Sequence, residues 1–153
     1  MAICFVLKND IQNAKYWISK LITINPSNYK AYYLLSFIDK NEAEFNLKKV
    51  ISINPMYLDA WGNLAKISLE KGNISDGTNY LFPLEYLSYK NFMYYYCIGL
   101  IHKIDGKYQD AQKDFEQAIK YDLRKVFMLR KDIRKDTEYY LFNHHLDETD
   151  SDI

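Results

Sequence analysis

From Tyr108 to Ile119 the chain carries apolar or small side chains at Tyr108, Ala111, Phe115, Ala118 and Ile119, with polar or charged ones between them. Spacings of three and four residues put that set on one face of an α-helix. The stripe is narrow at Ala111 and Ala118 and wide at Phe115, a profile that suits one helix packed closely on another. The pattern recurs. A shift of 34 residues aligns Trp61 with Tyr95, Leu64 with Ile98, Ala65 with Gly99, Gly72 with Gly106, Gly77 with Ala111 and Leu81 with Phe115. A shift of 29 aligns Tyr32, Leu35 and Ser36 with Trp61, Leu64 and Ala65, and Ala14, Ile18, Leu21 and Pro26 with Ala43, Leu47, Val50 and Pro55. Large positions meet large and small meet small, which predicts helix pairs repeated in tandem. Gly72 and Gly106 fall between the two halves of a pair, where a residue in the left-handed region ends a helix with little steric penalty.

Period, spacing and residue type together resemble the tetratricopeptide repeat, a helix-turn-helix unit of 34 residues with the pattern W-x2-L-G-x2-Y, then A-x3-F-x2-A, then P. The closest copies are "WGNLAKIS" with Gly72, and "YYCIGLIH" with Gly106, Ala111, Phe115 and Ala118; "INP" closes two units, at Ile24–Pro26 and Ile53–Pro55. The resemblance spans about residues 1–123 and implies an all-α fold, a short right-handed α-solenoid of antiparallel helix pairs. Three to four repeats would occupy residues 1–26 (partial), 27–55, 56–90 and 91–123. A capping helix over 124–145 completes a domain of residues 1–145, and the acidic run "LDETDSDI" over 146–153 reads as a disordered tail.

The departures from the pattern carry their own expectations. Leu35 and Ala43 are 8 residues apart, whereas Leu64 and Gly77, like Ile98 and Ala111, are 13 apart. The missing residues fall at the end of a first helix, so a shortened helix around Tyr29–Ile38 is predicted; it is either neutral drift or a notch for a partner. Asn41, ahead of Glu42 and Glu44, is the expected cap of the helix that follows. Pro83, between Leu81 and Leu84, should kink or end its helix, at about 3 kcal/mol. The opening "MAICFVLKND" is a fragmentary first unit, either a tolerated ragged end or a surface through which the chain forms a homodimer.

Composition narrows the function by exclusion. Of 153 residues, 48% are hydrophobic, enough for one packed domain, and 20 basic residues balance 20 acidic ones. That balance supports neither a nucleic-acid nor an anionic-membrane partner. No apolar run is long enough for membrane insertion and no secretory leader pattern is present, which favours a cytoplasmic protein. Cys4 and Cys97 lack CxxC spacing and read as buried thiols in a reducing compartment. His144 and His145, beside the acidic tail, do not converge as a zinc site requires, and His102 stands where the repeat wants a packed side chain. With no GxSxG, P-loop, HExxH or GxGxxG, neither an enzyme nor a cofactor is expected.

In solenoids of this family the first helices line a concave groove that takes an extended peptide or a partner helix. Carried over, the groove places are Lys30, Asp59 and Met93; Tyr33, Gly62 and Tyr96; and Phe37, Lys66, Leu100 and Lys103. The carboxylate clamp of the family's chaperone-tail receptors is not matched: its places hold Tyr33, Phe37, Asn63, Met93 and Cys97, of which only Asn63 fits. A register one unit later brings Gly62, Lys66, Cys97, Phe127 and Lys131, of which only Lys131 fits. The resemblance therefore implies a non-catalytic protein-binding or assembly module. The alternatives are a small chaperone of a secreted or membrane client and a helper subunit of a larger enzyme.

Overall fold

The computed structural model describes residues 10–121, and all regular structure among them is helical. Seven helices follow one another: α1 (Ile11–Ile24), α2 (Tyr29–Ile38), α3 (Ala43–Ile53), α4 (Leu58–Glu70), α5 (Ile74–Tyr86), α6 (Phe92–Ile104) and α7 (Tyr108–Tyr121). None is long and apolar enough to cross a membrane. The fragmentary opening, the capping helix and the acidic tail lie outside the described residues, as do Cys4, His144 and His145.

Local chemistry accounts for the helix ends. Asp10, Asn28, Asn73 and Asn91 each accept a hydrogen bond from the backbone N–H three residues on, at the starts of α1, α2, α5 and α6, satisfying one of the donors that a helix leaves free there. Gly72 and Gly106 take φ of +79° and +75°, the left-handed conformation that stops α4 and α6. Asn41 is not the cap of α3. Glu42 holds that place without a side-chain bond, and Asp39 accepts instead from the N–H groups of Asn41 and Glu42. Nor does Pro83 end α5, which runs three residues beyond it. The proline forfeits its own bond to the carbonyl four residues back, yet the helix continues past it, with the buried Leu81 and Leu84 on either side.

The most extensive contacts join α2 to α3, α4 to α5 and α6 to α7, the antiparallel pairs, while α4 also packs along α6. The small places admit large neighbours. A Cβ on Gly77 would come within 2.5 Å of Leu69, and one on Gly99 within 2.6 Å of the Phe115 ring, each across a pair; one on Gly62 would come within 2.8 Å of Met93, across a unit boundary. Burial then falls into three clusters: Ile18, Ala31 and Leu35 between α1 and α2; Leu47, Val50, Ala60 and Leu64 between α3 and α4; and a larger one over α4–α7 around Leu84, Phe92, Cys97 and Phe115. At one turn between units the Trp61 indole N–H donates to the Pro55 carbonyl at 2.8 Å, which ties the "INP" segment to the following helix. His102 does pack against the second helix of its pair, but by a polar contact: its Nδ1 lies 2.6 Å from the Asp114 carboxylate.

Asn46 is buried to 1% exposure in α3 and its side-chain nitrogen has no hydrogen-bond partner among the described residues. An unpaired buried donor costs about 1–3 kcal/mol. Asn46→Leu, which has the same branched outline and number of side-chain heavy atoms, is therefore expected to raise stability by about 1 kcal/mol, read as a higher urea midpoint; a lowered midpoint would contradict the burial of an unsatisfied amide.

Candidate partner-binding surface

The first helices α2, α4 and α6 do not present one uniform face. Of the places expected to line a groove, Met93, Tyr96 and Leu100 on α6 are 9, 3 and 7% exposed and belong to the core, as does Gly62. Met93 fills the space above Gly62, and the Tyr96 ring stacks on Phe92 with centroids 5.9 Å apart and leans on Phe115 at 5.7 Å. The cause is legible in "FMYYYCIGLI": a helix that is apolar all round is enclosed. Burial also pushes the Cys97 thiol well above its ordinary range and makes it unreactive.

The accessible surface lies on α2 and α4. Phe37 is 56% exposed, Lys30 is exposed, and Tyr33, Asp59 and Lys66 are half-buried; Lys103, in the last turn of α6, is half-buried too. Lys66 is held 3.5 Å from Glu70 and 5.7 Å from the Tyr96 ring centroid. Because α2 has ten residues and α4 thirteen, the end of α4 runs beyond α2 and is met from the preceding unit by α3. A cleft of about 560 Å³ opens there, lined by Phe37, Lys40, Glu44, Asn63, Lys66 and Lys71 among others. A second, of about 420 Å³, lies on the other side, against Ile11, Ile38 and Asp39. Phe37 lines both. The shortened helix thus produces a notch with an exposed aromatic ring at its edge.

Charge braces the rim. Glu44 accepts from Lys48 and from Lys71, each at 2.7 Å, so α3 is clasped to the end of α4. Those two hydrogen bonds, Lys48's first, pull the Glu44 carboxyl from its ordinary 4.5 down to about 2. A depressed carboxyl contributes stability that is complete above the unfolded value and lost as pH falls through the folded one. Here that window runs from about pH 4.5 to pH 2. Discounted for its partial exposure, the contribution is about 1 kcal/mol. Glu44→Gln should therefore lower the urea midpoint at pH 7 and flatten the decline of stability between pH 5 and 3; an unchanged acid limb would count against the clasp.

At the other end of the face, a cluster of aromatic rings lies beside the start of α4, near Asp59. Tyr57 lies 5.1 Å from Tyr29 and 4.8 Å from Tyr33, and Tyr33 lies 4.9 Å from Phe37. Asn63 donates to the Tyr33 hydroxyl at 3.3 Å. After α5, Ser88 takes a left-handed φ of 53° and the Tyr89 N–H donates to Leu84 O at 2.7 Å. That turn carries the Tyr89 hydroxyl to Asp59 (3.4 Å), beside the Asn91 amide (3.3 Å). Burial first, and then the Asp59 charge, raise the hydroxyls of Tyr33, Tyr57 and Tyr89 above the ordinary tyrosine range. Sequence rows drawn along helices omitted Tyr29, Tyr57, Tyr89 and Asn91, which sit at helix starts or in turns. One signal was present: Tyr57 occupies the cap place that Asn28 and Asn91 hold in the flanking units, and it makes no capping bond.

Residues 92–124 match the family model for the tetratricopeptide repeat. Among solved structures, the fold is similar to a MamA double mutant of strain RS-1, with a TM-score of 0.64 at 16% identity. It is also similar to MamA from residue 41 onward of Desulfovibrio magneticus RS-1, with a TM-score of 0.64 at 14% identity. Each alignment covers 99% of this chain and 93% of the other. No curated protein sequence matches the chain. The architecture is the all-α solenoid that the repeat pattern implied.

Proposed function

We propose that this chain, a tetratricopeptide-repeat protein, is a non-catalytic scaffold that takes a peptide or helix of a protein partner on the face formed by α2 and α4, in the cytoplasm. The observation that carries the reading is the notch: an exposed Phe37 between two clefts, beside the end of α4 that runs beyond the shortened α2. Partner helices and extended peptides commonly anchor through one apolar side chain in such a concavity. The burial of Met93, Tyr96 and Leu100 supports a binding face on the first two described pairs.

The test is photo-crosslinking in cells with p-benzoylphenylalanine at Phe37, compared with Phe82, an equally exposed aromatic on the second helix α5. A discrete protein adduct at Phe37 and none at Phe82 is the expected result. Equal labelling at both, or adducts at Phe82 alone, would move the interaction away from this face.

A further inference from the structure

We propose that Asp59, bonded by the Tyr89 hydroxyl and the Asn91 amide beside the Tyr33–Tyr57 ring pair, is a subsite for an arginine side chain of the bound segment. The proposal rests on the binding face described above and names the chemistry of its occupant. Asp59 sits in the first turn of α4, where a carboxylate is favoured by the helix dipole. The dipole explains the acid but not its surroundings. Among the described residues no lysine, arginine or histidine lies within ion-pair distance of it; its side-chain partners are two neutral donors, Tyr89 and Asn91, at 3.4 and 3.3 Å. Asp59 is only half-buried, so its carboxylate keeps access to solvent.

Tyrosine rings near the carboxylate add a second attraction for a cation. A tyrosine face attracts positive charge through its quadrupole, and a planar guanidinium can stack on that face while pairing with a carboxylate, which a compact ammonium does less well. The cluster already holds one cation in this way: Lys30 places its ammonium 6.0 Å from the Tyr29 centroid, without reaching Asp59. Tyr57 replaces a capping asparagine at a place where it makes no cap, and Tyr89 is delivered by a left-handed turn at Ser88. Charge complementarity thus selects a basic side chain over an acidic or apolar one at this end of the face.

The experiment uses the full-length, 15N-labelled chain titrated with N-acetyl-arginine N-methylamide and, separately, with the citrulline analogue, which is nearly isosteric but uncharged. Saturable shifts of the Tyr57, Asp59 and Asn91 amides are expected with arginine, and binding about tenfold weaker with citrulline. Asp59→Asn, which keeps the shape and the neutral hydrogen bonds, should weaken arginine binding by a similar factor. Equal shifts with both compounds, shifts centred elsewhere, or unaltered binding by Asp59→Asn would overturn the subsite. The citrulline comparison needs no variant, so it stands even if the substitution disturbs folding. Adducts at Phe37 without arginine preference at Asp59 would sink the subsite and leave the interaction face standing. Arginine binding at Asp59 without adducts at Phe37 would do the reverse.

Discussion

Phe115→Ala is expected to lower the stability of the domain by about 3–5 kcal/mol, the usual loss for a buried aromatic truncated in a core. Phe115 is 3% exposed; its ring lies against Gly99 across the α6–α7 pair and 5.7 Å from Tyr96. Urea unfolding followed by circular dichroism would measure the loss, and a change below about 1 kcal/mol would mean that the ring is not enclosed as described. The partner position supplies a sign change. Gly99→Ala alone puts a Cβ 2.6 Å from the ring and should cost about 1–3 kcal/mol through overpacking. In the Phe115→Ala background the same change meets a cavity instead. It should then be neutral or stabilising by up to about 1 kcal/mol, the helix-propensity gain of alanine over glycine. A double-mutant cycle that showed additivity would dissociate the two residues.

Leu64→Ala should cost about 2–5 kcal/mol, and its effect should be unevenly distributed. Leu64 is fully buried with Leu47, Val50 and Ala60 in the cluster that joins α3 to α4. That cluster lies next to the notch, where the missing turn of α2 leaves fewer neighbours to close around a cavity. Repeat proteins behave as stacks held by nearest-neighbour interfaces, so losing this interface should release the α1–α3 side first. Amide exchange in α2 and α3 is expected to accelerate more than in α6 and α7. Uniform acceleration along the chain would show instead that the stack unfolds as one unit.

Much of the fold was legible because the repeat is a packing code. Large residues at Leu81 and Phe115 and small ones at Gly77, Gly99 and Ala111 encode where two helices touch, and spacing alone located the shortening of α2. Local reasoning failed where an outcome depended on what else was near. Of the two outcomes expected at Pro83, ending the helix did not occur, since α5 runs on past it, and the turn before α3 is bonded by Asp39 instead of Asn41. The groove was only partly legible for the same reason. Family register assigned Met93, Tyr96 and Leu100 to a surface, although their own helix is apolar on every side.

The sequence by itself determined the periodic elements of this protein: helix pairs, their glycine-marked turns, a missing stretch after Leu35, and a chain without the signatures of catalysis. Those are properties of residues three, four or 34 positions apart, and they survive without coordinates. Only the tertiary structure decided which first helices are accessible, that the missing stretch opens a notch at Phe37, and that Tyr89 and Asn91 from a distant turn reach Asp59. The reason is physical. A periodic pattern constrains each helix against its immediate partner, whereas exposure and charge pairing are set by side chains that only the stacking of units brings together.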